Sequence, residues 1–390
     1  MAKQEMTGKE RMLTAILGGQ PDRVPCAPDI SSMIPCRLTG RPFYETHLDR
    51  NPYPPSEYTN PALGEAYLHA AEYFGIDTWY MYGSLDYKTR SAATHHYEVV
   101  KRTPERVTGR LTIHTPDGDL TAEDIFFAAD SPTKTEKIIK NLEDDFPKLR
   151  HLYPDITGYD GSNARQTMAR VGDAGIYCII MGYPGFQDWI FSFNGNLEAM
   201  TYAYYDYPEL IDELIDMQDR QLCRQVEMVL DFRPDVLFLG GSGTLTLQSP
   251  QLFRKMGLPT IKKITRMARE AGVPTMIHSC GKSTELVKIL AEETDLNCIN
   301  PLEIPPMGDA NLKDLKQKYG RKLCLMGNLH TTGIMLQGSP EDVEKAAKQC
   351  IDDAGQGGGF ILSTGDQCGR DTPDANIFKM VEVCKTYGRY

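Results

Sequence analysis

The sequence predicts an α/β protein: a (β/α)8 barrel of the TIM type with a β-hairpin inserted after its second strand, spanning residues 1–390 as one domain. Three observations carry this. Eight short apolar runs recur along the chain, helical pattern separates each from the next, and none alternates polar with apolar residues as a half-exposed sheet would. An open, doubly wound sheet is the competitor. It calls for a glycine-rich phosphate loop after the first strand, and residues 31–40 carry no such loop.

Taken in order, Met12, Leu13, Ile16 and Leu17 give an amphipathic helix from Gly8, stopped by Gly18-Gly19 and Pro21. Arg23 to Ile30 reads as the first strand. Residues 36–62, broken by Pro52, Pro54 and Pro55, read as a long irregular connection. A helix over 62–74 ends at Gly75, and residues 76–83 form the second strand. Within 97–127 the alternation of Val107 to His114 and of Leu120 to Phe127, turned at Asp117-Gly118, reads as the inserted hairpin. Helical segments are expected over 133–142 and 165–171, before the third strand at 174–182.

The remaining strands are 235–242, 273–278, 296–303, 322–328 and 359–365. Between them lie helices over 197–205 and 208–230, one from Ser249-Pro250 to Gly272, and others over 284–293 and 312–319. Ser339-Pro340-Glu341-Asp342 caps the next, and a final helix begins at Thr372-Pro373-Asp374.

Composition narrows the function classes. Hydrophobic residues make up 41% of the chain and charged residues 24%, an ordinary globular balance. No run of apolar residues is long enough to cross a membrane. The formal net charge of −11 and the lack of a Lys/Arg block argue against nucleic acid. The polar first ten residues and the ten scattered cysteines, with no CxxC among them, point to the cytoplasm and to free thiols. The assembly is open, and a homodimer is admissible.

In a barrel, chemistry gathers at the carboxyl ends of the strands. The residues collected there are Tyr82 and Asp86, Gln187 and Asp188, Ser242, His278 and Cys280, Glu303, Asn328 and His330, then Asp366 and Cys368. His278 and Cys280 stand two apart, so in extended backbone both side chains leave one face, and zinc favours such an N/S pair. Cys368, from the facing eighth strand, supplies a second sulfur. Two thiolates and one imidazole leave a tetrahedral zinc with an open, catalytic position. Glu303 or Asp366 fills that position at rest or acts as general acid or base. The stretch from Tyr183 to Trp189 offers aromatic rings interleaved with polar groups, as a ligand wall or as core.

These residues resemble the uroporphyrinogen decarboxylase superfamily, within it the branch of cobamide-dependent methyltransferases. The likeness rests on Ile277-His-Ser-Cys-Gly281, Asn300-Pro-Leu-Glu303, Met326-Gly-Asn328, Gly338-Ser-Pro-Glu341 and the run from Gly358 to Asp366 leading to Asp371-Thr-Pro373. It implies zinc on His278, Cys280 and Cys368, and a corrinoid (cobalamin-type) cofactor carried by a partner protein. The arginine-rich signature of the decarboxylases is absent after Pro25, where Cys26-Ala-Pro-Asp-Ile-Ser-Ser32 stands, so a decarboxylase-like lyase takes second place.

The expected activity is methyl transfer between a small methylated compound, a methoxy donor by preference, and the cobalt of the corrinoid protein. Transfer from the corrinoid to a thiol is the alternative, and a binding protein with structural zinc is a third. Tyr82, Tyr183, Gln187, Trp189, Ser242, Asn328 and His330 are the expected substrate contacts.

Overall fold

The computed structural model describes residues 5–49 and 60–390. Seven parallel strands form one sheet in chain order: Thr78–Gly83, Gly175–Met181, Val236–Gly240, Thr275–His278, Cys298–Asn300, Cys324–Leu329 and Phe360–Thr364. Their residues are buried almost throughout, because the barrel interior covers one face and helices the other.

The first predicted strand, 23–30, is reduced to a bridge. Pro25 and Pro28 lack the N–H that a ladder needs. What remains still joins both edges of the sheet. Ala27 N donates to Leu362 O (3.0 Å) and Leu362 N to Pro25 O (2.9 Å), while Asp77 N donates to Cys26 O (2.9 Å) on the other side. The segment therefore takes the eighth place in the ring.

Local signals fix the outer helices. Asn60 caps Pro61–Phe74, which stops at left-handed Gly75. Ser249 caps Pro250–Met256, and the expected single helix to Gly272 breaks at Gly257, with Leu258–Ala271 following. Ser339 and Asp342 form a reciprocal capping box on Pro340–Ala354. Pro208–Phe232 buries Ile211, Leu214, Met217, Leu222, Val226 and Val229, one face at helical spacing.

Two expectations fail locally. Part of the connection expected to be irregular over 36–62 is helical, as Met33–Leu38 and Phe43–Leu48, because Pro35 and Pro42 fall in or before first turns where no N–H is missed. Residues 50–59, with Pro52, Pro54 and Pro55, lie outside the described residues. The helix expected over 133–142 is a strand, Thr133–Glu136, followed by a helix over Leu142–Leu149. Thr133 and Thr135 are β-branched, and the antiparallel neighbour offers them a ladder.

That neighbour belongs to a sheet larger than the expected hairpin. Thr94–Arg102, Arg106–Thr115, Gly118–Phe127 and Thr133–Glu136 pair in sequence, with Pro116 and Asp117 at the tight turn. A second pair, Asp86–Arg90 with Asp155–Asp160, flanks it in the chain. Ile113 and Leu120 of the inserted sheet pack into a second apolar cluster with Phe146, Phe186, Trp189 and Met256. The insertion thus leans on the segment that follows the third barrel strand.

Candidate metal centre and cavity

His278 is the last residue of its strand, and Cys280 follows after one intervening residue, Ser279. Gly281 takes φ +81°, and a Cβ there would meet Thr246 Oγ1 at 2.0 Å, so only glycine lets the chain turn so tightly behind the thiol. Across the mouth, Asp366 follows the strand Phe360–Thr364. The donor atoms of His278, Cys280 and Asp366 all lie within 4.8 Å of one another, with His278 Nε2 3.8 Å from Asp366 Oδ1.

The surroundings suit a cation. Burial, then the charges of Asp366 and Glu303, push the Cys280 thiol up to about 12, so its thiolate lacks a positive partner. Asn300 Nδ2 stands 3.4 Å from His278 Nδ1, while Asn300 Oδ1 is buried without a hydrogen bond. With the near-isosteric amide turned over, Oδ1 accepts from Nδ1–H and leaves Nε2 free to ligate, the usual outer support of a metal-bound histidine. Imidazole, thiol and carboxylate are also a donor set that zinc accepts.

Cys368 stands outside this group. It is fully buried, its N donates to Asp29 O (2.8 Å), and its thiol is pushed up to about 12, first by burial and then by Asp29, against hydrogen bonds to Thr364 and Thr372. Glu303 is buried and accepts from Gly281 N, which fixes the loop behind Cys280. Its carboxyl is raised by burial and by Asp366, with the Gly281 N–H opposing. Leu302 (φ 62°) and Asp366 (φ 130°) are two of four non-glycine residues at positive φ among those described, and they sit at the two candidate acid–base groups.

A cavity of about 530 Å³ opens beside His278 and Asp366. Of the expected substrate contacts, Gln187 and Ser242 line it, and the Gln187 amide donates to Ser242 O. The others do not. Tyr82 packs against Tyr67 and Tyr80 and donates to Ser31 O. Tyr183 is fully buried against Gly241, and Trp189 belongs to the second apolar cluster beside Tyr153. Asn328 donates to Leu302 O (2.9 Å), and His330 caps the turn after its strand by accepting from Thr332 N and Gly333 N; both line a small cleft with Glu303 instead.

Sequence reasoning passed over Asp29, Ser31 and Gln367, which also line the cavity. Asp29 is fully buried, and its carboxyl is raised by burial and by Asp366, against His278. Its N donates to Thr364 Oγ1 (3.0 Å), tying the first-strand segment to the eighth strand. The available signal was an acidic residue following an apolar run at a strand's carboxyl end, the rule applied to the other seven.

Fold and site together define a parallel α/β barrel with a candidate metal centre at its mouth. Residues 194–387 match the family model uroporphyrinogen decarboxylase (URO-D), so this half of the chain is a URO-D family domain. The methylcobamide:CoM methyltransferase MtbA of Methanosarcina mazei is 30% identical over 182 residues, covering 46% of this chain and 50% of that protein. A methylated-thiol–coenzyme M methyltransferase of the same organism is 25% identical over 179 residues, covering 46% and 45%. The chain therefore spans about half the length of the curated relatives it matches. A solved methyltransferase structure from Methanosarcina mazei aligns over 98% of this chain and 99% of its own, with a TM-score of 0.64 at 18% identity, and shares the fold.

Proposed function

We propose that the protein is a zinc-dependent methyltransferase that moves a methyl group between the cobalt of a corrinoid, carried by a partner protein, and a small sulfur compound at the barrel mouth. The observation that carries this reading is the cluster of His278, Cys280 and Asp366 donor atoms at the strands' carboxyl ends. The relatives' names support the corrinoid and favour a thiol over the methoxy donor preferred from sequence alone. A cytoplasmic setting, with reduced thiols, goes with it.

His278, Cys280 and Cys368 are the proposed permanent zinc ligands. Asp366, half-exposed on strained backbone, is the fourth donor and the one best able to give way to a substrate atom. Zinc bound there supplies Lewis acidity, which lowers the pKa of a thiol it holds. In the thiol direction, the S–H proton passes to Asp366 or Glu303. The sulfur then attacks the methyl carbon, a C–S bond forms, and the Co–C bond breaks with its electron pair kept by cobalt. Gln187 and Ser242 line the substrate's side of the cavity, and Tyr82 holds its Ser31 by a hydrogen bond to the Ser31 carbonyl.

The test is incubation of zinc-loaded protein with methylcobalamin and a panel of thiols while the cobalt spectrum is followed, and with reduced cobalamin and methylated compounds in reverse. Loss of the methyl–cobalt bands with at least one thiol is expected. An unchanged spectrum with every compound in both directions removes the proposal.

A further inference from the structure

The charges lining the cavity bear on what enters it. Asp29, Asp188 and Asp366 face it, together with the rings of Trp79, Phe191 and Phe238, and no lysine or arginine lines it among the described residues. The Asp188 carboxyl takes neutral donors: Gln218 Nε2 donates to Oδ2 at 2.9 Å, and the Tyr183 backbone N–H donates to it as well. Gln218 is spent on its other side, where Oε1 accepts from Gly185 N (2.8 Å). Lys134, on the inserted sheet, acts on Asp188 only through space. Lys137 lies over the Phe191 ring, but its ammonium is committed to Ile190 O and Asn196 Oδ1.

A zinc ion with one thiolate and the Asp366 carboxylate is neutral in sum, and a second thiolate makes the centre negative. Either way Asp29 and Asp188 remain. A sulfonate or carboxylate tail would enter a site with no countercharge, and a buried, unpaired ion costs several kcal/mol. An ammonium tail meets a carboxylate and aromatic faces at once, the pairing that favours cations in partly apolar pockets. Burial holds the Asp188 carboxyl up at about 7, so a cation beside it would also complete its ionisation.

We propose that the cavity selects a thiol with a positively charged tail, an aminothiol, over a thiol whose tail is anionic. This rests on the thiol reading above and names its substrate class. It sets the chain apart from relatives named for coenzyme M, a thiol with a sulfonate tail.

The test is calorimetric binding, without turnover, of three methyl thioethers that share a two-carbon stem: 2-(methylthio)ethylamine, 2-(methylthio)ethanol and 2-(methylthio)ethanesulfonate, each to zinc-loaded and metal-free protein. The amine is expected to bind at least tenfold tighter than the sulfonate, with the alcohol between. Asp188→Asn is expected to shrink the amine-to-sulfonate ratio at least fivefold, and Asp29→Asn to shrink it less. Equal or tighter sulfonate binding, or no binding of any of the three, overturns the proposal, and so does a ratio unchanged in both folded variants. The wild-type ranking decides alone if a variant does not fold. Should the ranking hold while no thiol is methylated, the methyl-transfer reading fails and the charge selection stands.

Discussion

His278 Nε2 and Asp366 Oδ1 face each other at 3.8 Å, although 88 residues separate them in the chain, and Asp366 reaches that point only by adopting φ 130°. Such a conformation costs a non-glycine residue on the order of 1 to 3 kcal/mol, and strain of this kind is kept where function needs the side chain. Asp366→Gly is therefore expected to raise the stability of the metal-free protein by about 1 kcal/mol while methyl transfer falls at least tenfold. Thermal unfolding beside the cobalt assay checks both. A variant that is less stable and fully active would mean that the strain serves nothing.

The barrel was legible because its strands are buried on both faces: runs such as Ile176 to Met181 and Val236 to Leu239 can be little else. What escaped has physical causes. Pro25 and Pro28 turned an apparent strand into a bridge, and the exposed polar residues Asp86 to Arg90 pair with Asp155 to Asp160 without any apolar period to announce them. At the site, the spacing of His278 and Cys280 was enough to place two donors side by side. Nothing local told which of Asp366 and Cys368, two residues apart, turns toward them. Tyr183 and Trp189 misled because aromatic rings beside a site pattern alike whether they face ligand or core: Tyr183 joins the main core, and Trp189 joins the cluster that the inserted sheet completes.

The ring is closed by an ion network that no local pattern revealed. Asp77, at the start of the second strand, takes Arg11 Nη1 at 2.6 Å and Arg23 Nη1 at 2.8 Å, and accepts from Cys26 N at 2.8 Å. Asp77 is 3% exposed, Arg11 3% and Arg23 6%, so removing the shared anion leaves two guanidinium groups buried with less charge to face. Asp77→Asn is expected to cost about 3 to 5 kcal/mol. Urea unfolding monitored by circular dichroism measures it, and a midpoint within error of wild type would show that the network holds nothing together.

Asp124 makes an opposite kind of contribution. It pairs across from Gly109 in the inserted sheet, is 1% exposed, and neither carboxylate oxygen has a hydrogen bond. Burial raises its carboxyl to about 6, with Lys134 opposing and Glu123 adding to the rise. Folded protein thus holds this proton more tightly than the unfolded chain. Stability is unaffected below the unfolded value near 4, falls as pH rises toward 6, and stays reduced above it. The loss has an upper bound of about 3 kcal/mol, from roughly two pKa units at 1.36 kcal/mol each. Asp124→Asn is expected to flatten that part of the curve, so the variant gains on wild type between about pH 4 and pH 7. Parallel wild-type and variant curves would place the carboxyl in a solvated setting.

The donor set is the point on which most depends. Three candidates converge on one place, His278 and Cys280 after the fifth strand and Asp366 after the eighth, while the fourth, Cys368, lies buried two residues past Asp366. Burial pushes both thiols up to about 12, so without a cation neither gains by ionising, whereas a zinc ion would hold both as thiolates. Removing a thiolate or the imidazole should then cost far more affinity than removing a half-exposed carboxylate. Metal analysis and competition with a chromophoric chelator should give about one zinc per chain. Affinity should fall at least 100-fold in His278→Ala, Cys280→Ala and Cys368→Ala, but about tenfold in Asp366→Ala. Chelation should leave the circular dichroism of the wild type intact, because the barrel's core does not depend on the ion. If Cys368→Ala keeps its zinc while Asp366→Ala loses it, the ligands are the three atoms already within 4.8 Å of one another, and Cys368 is a core thiol.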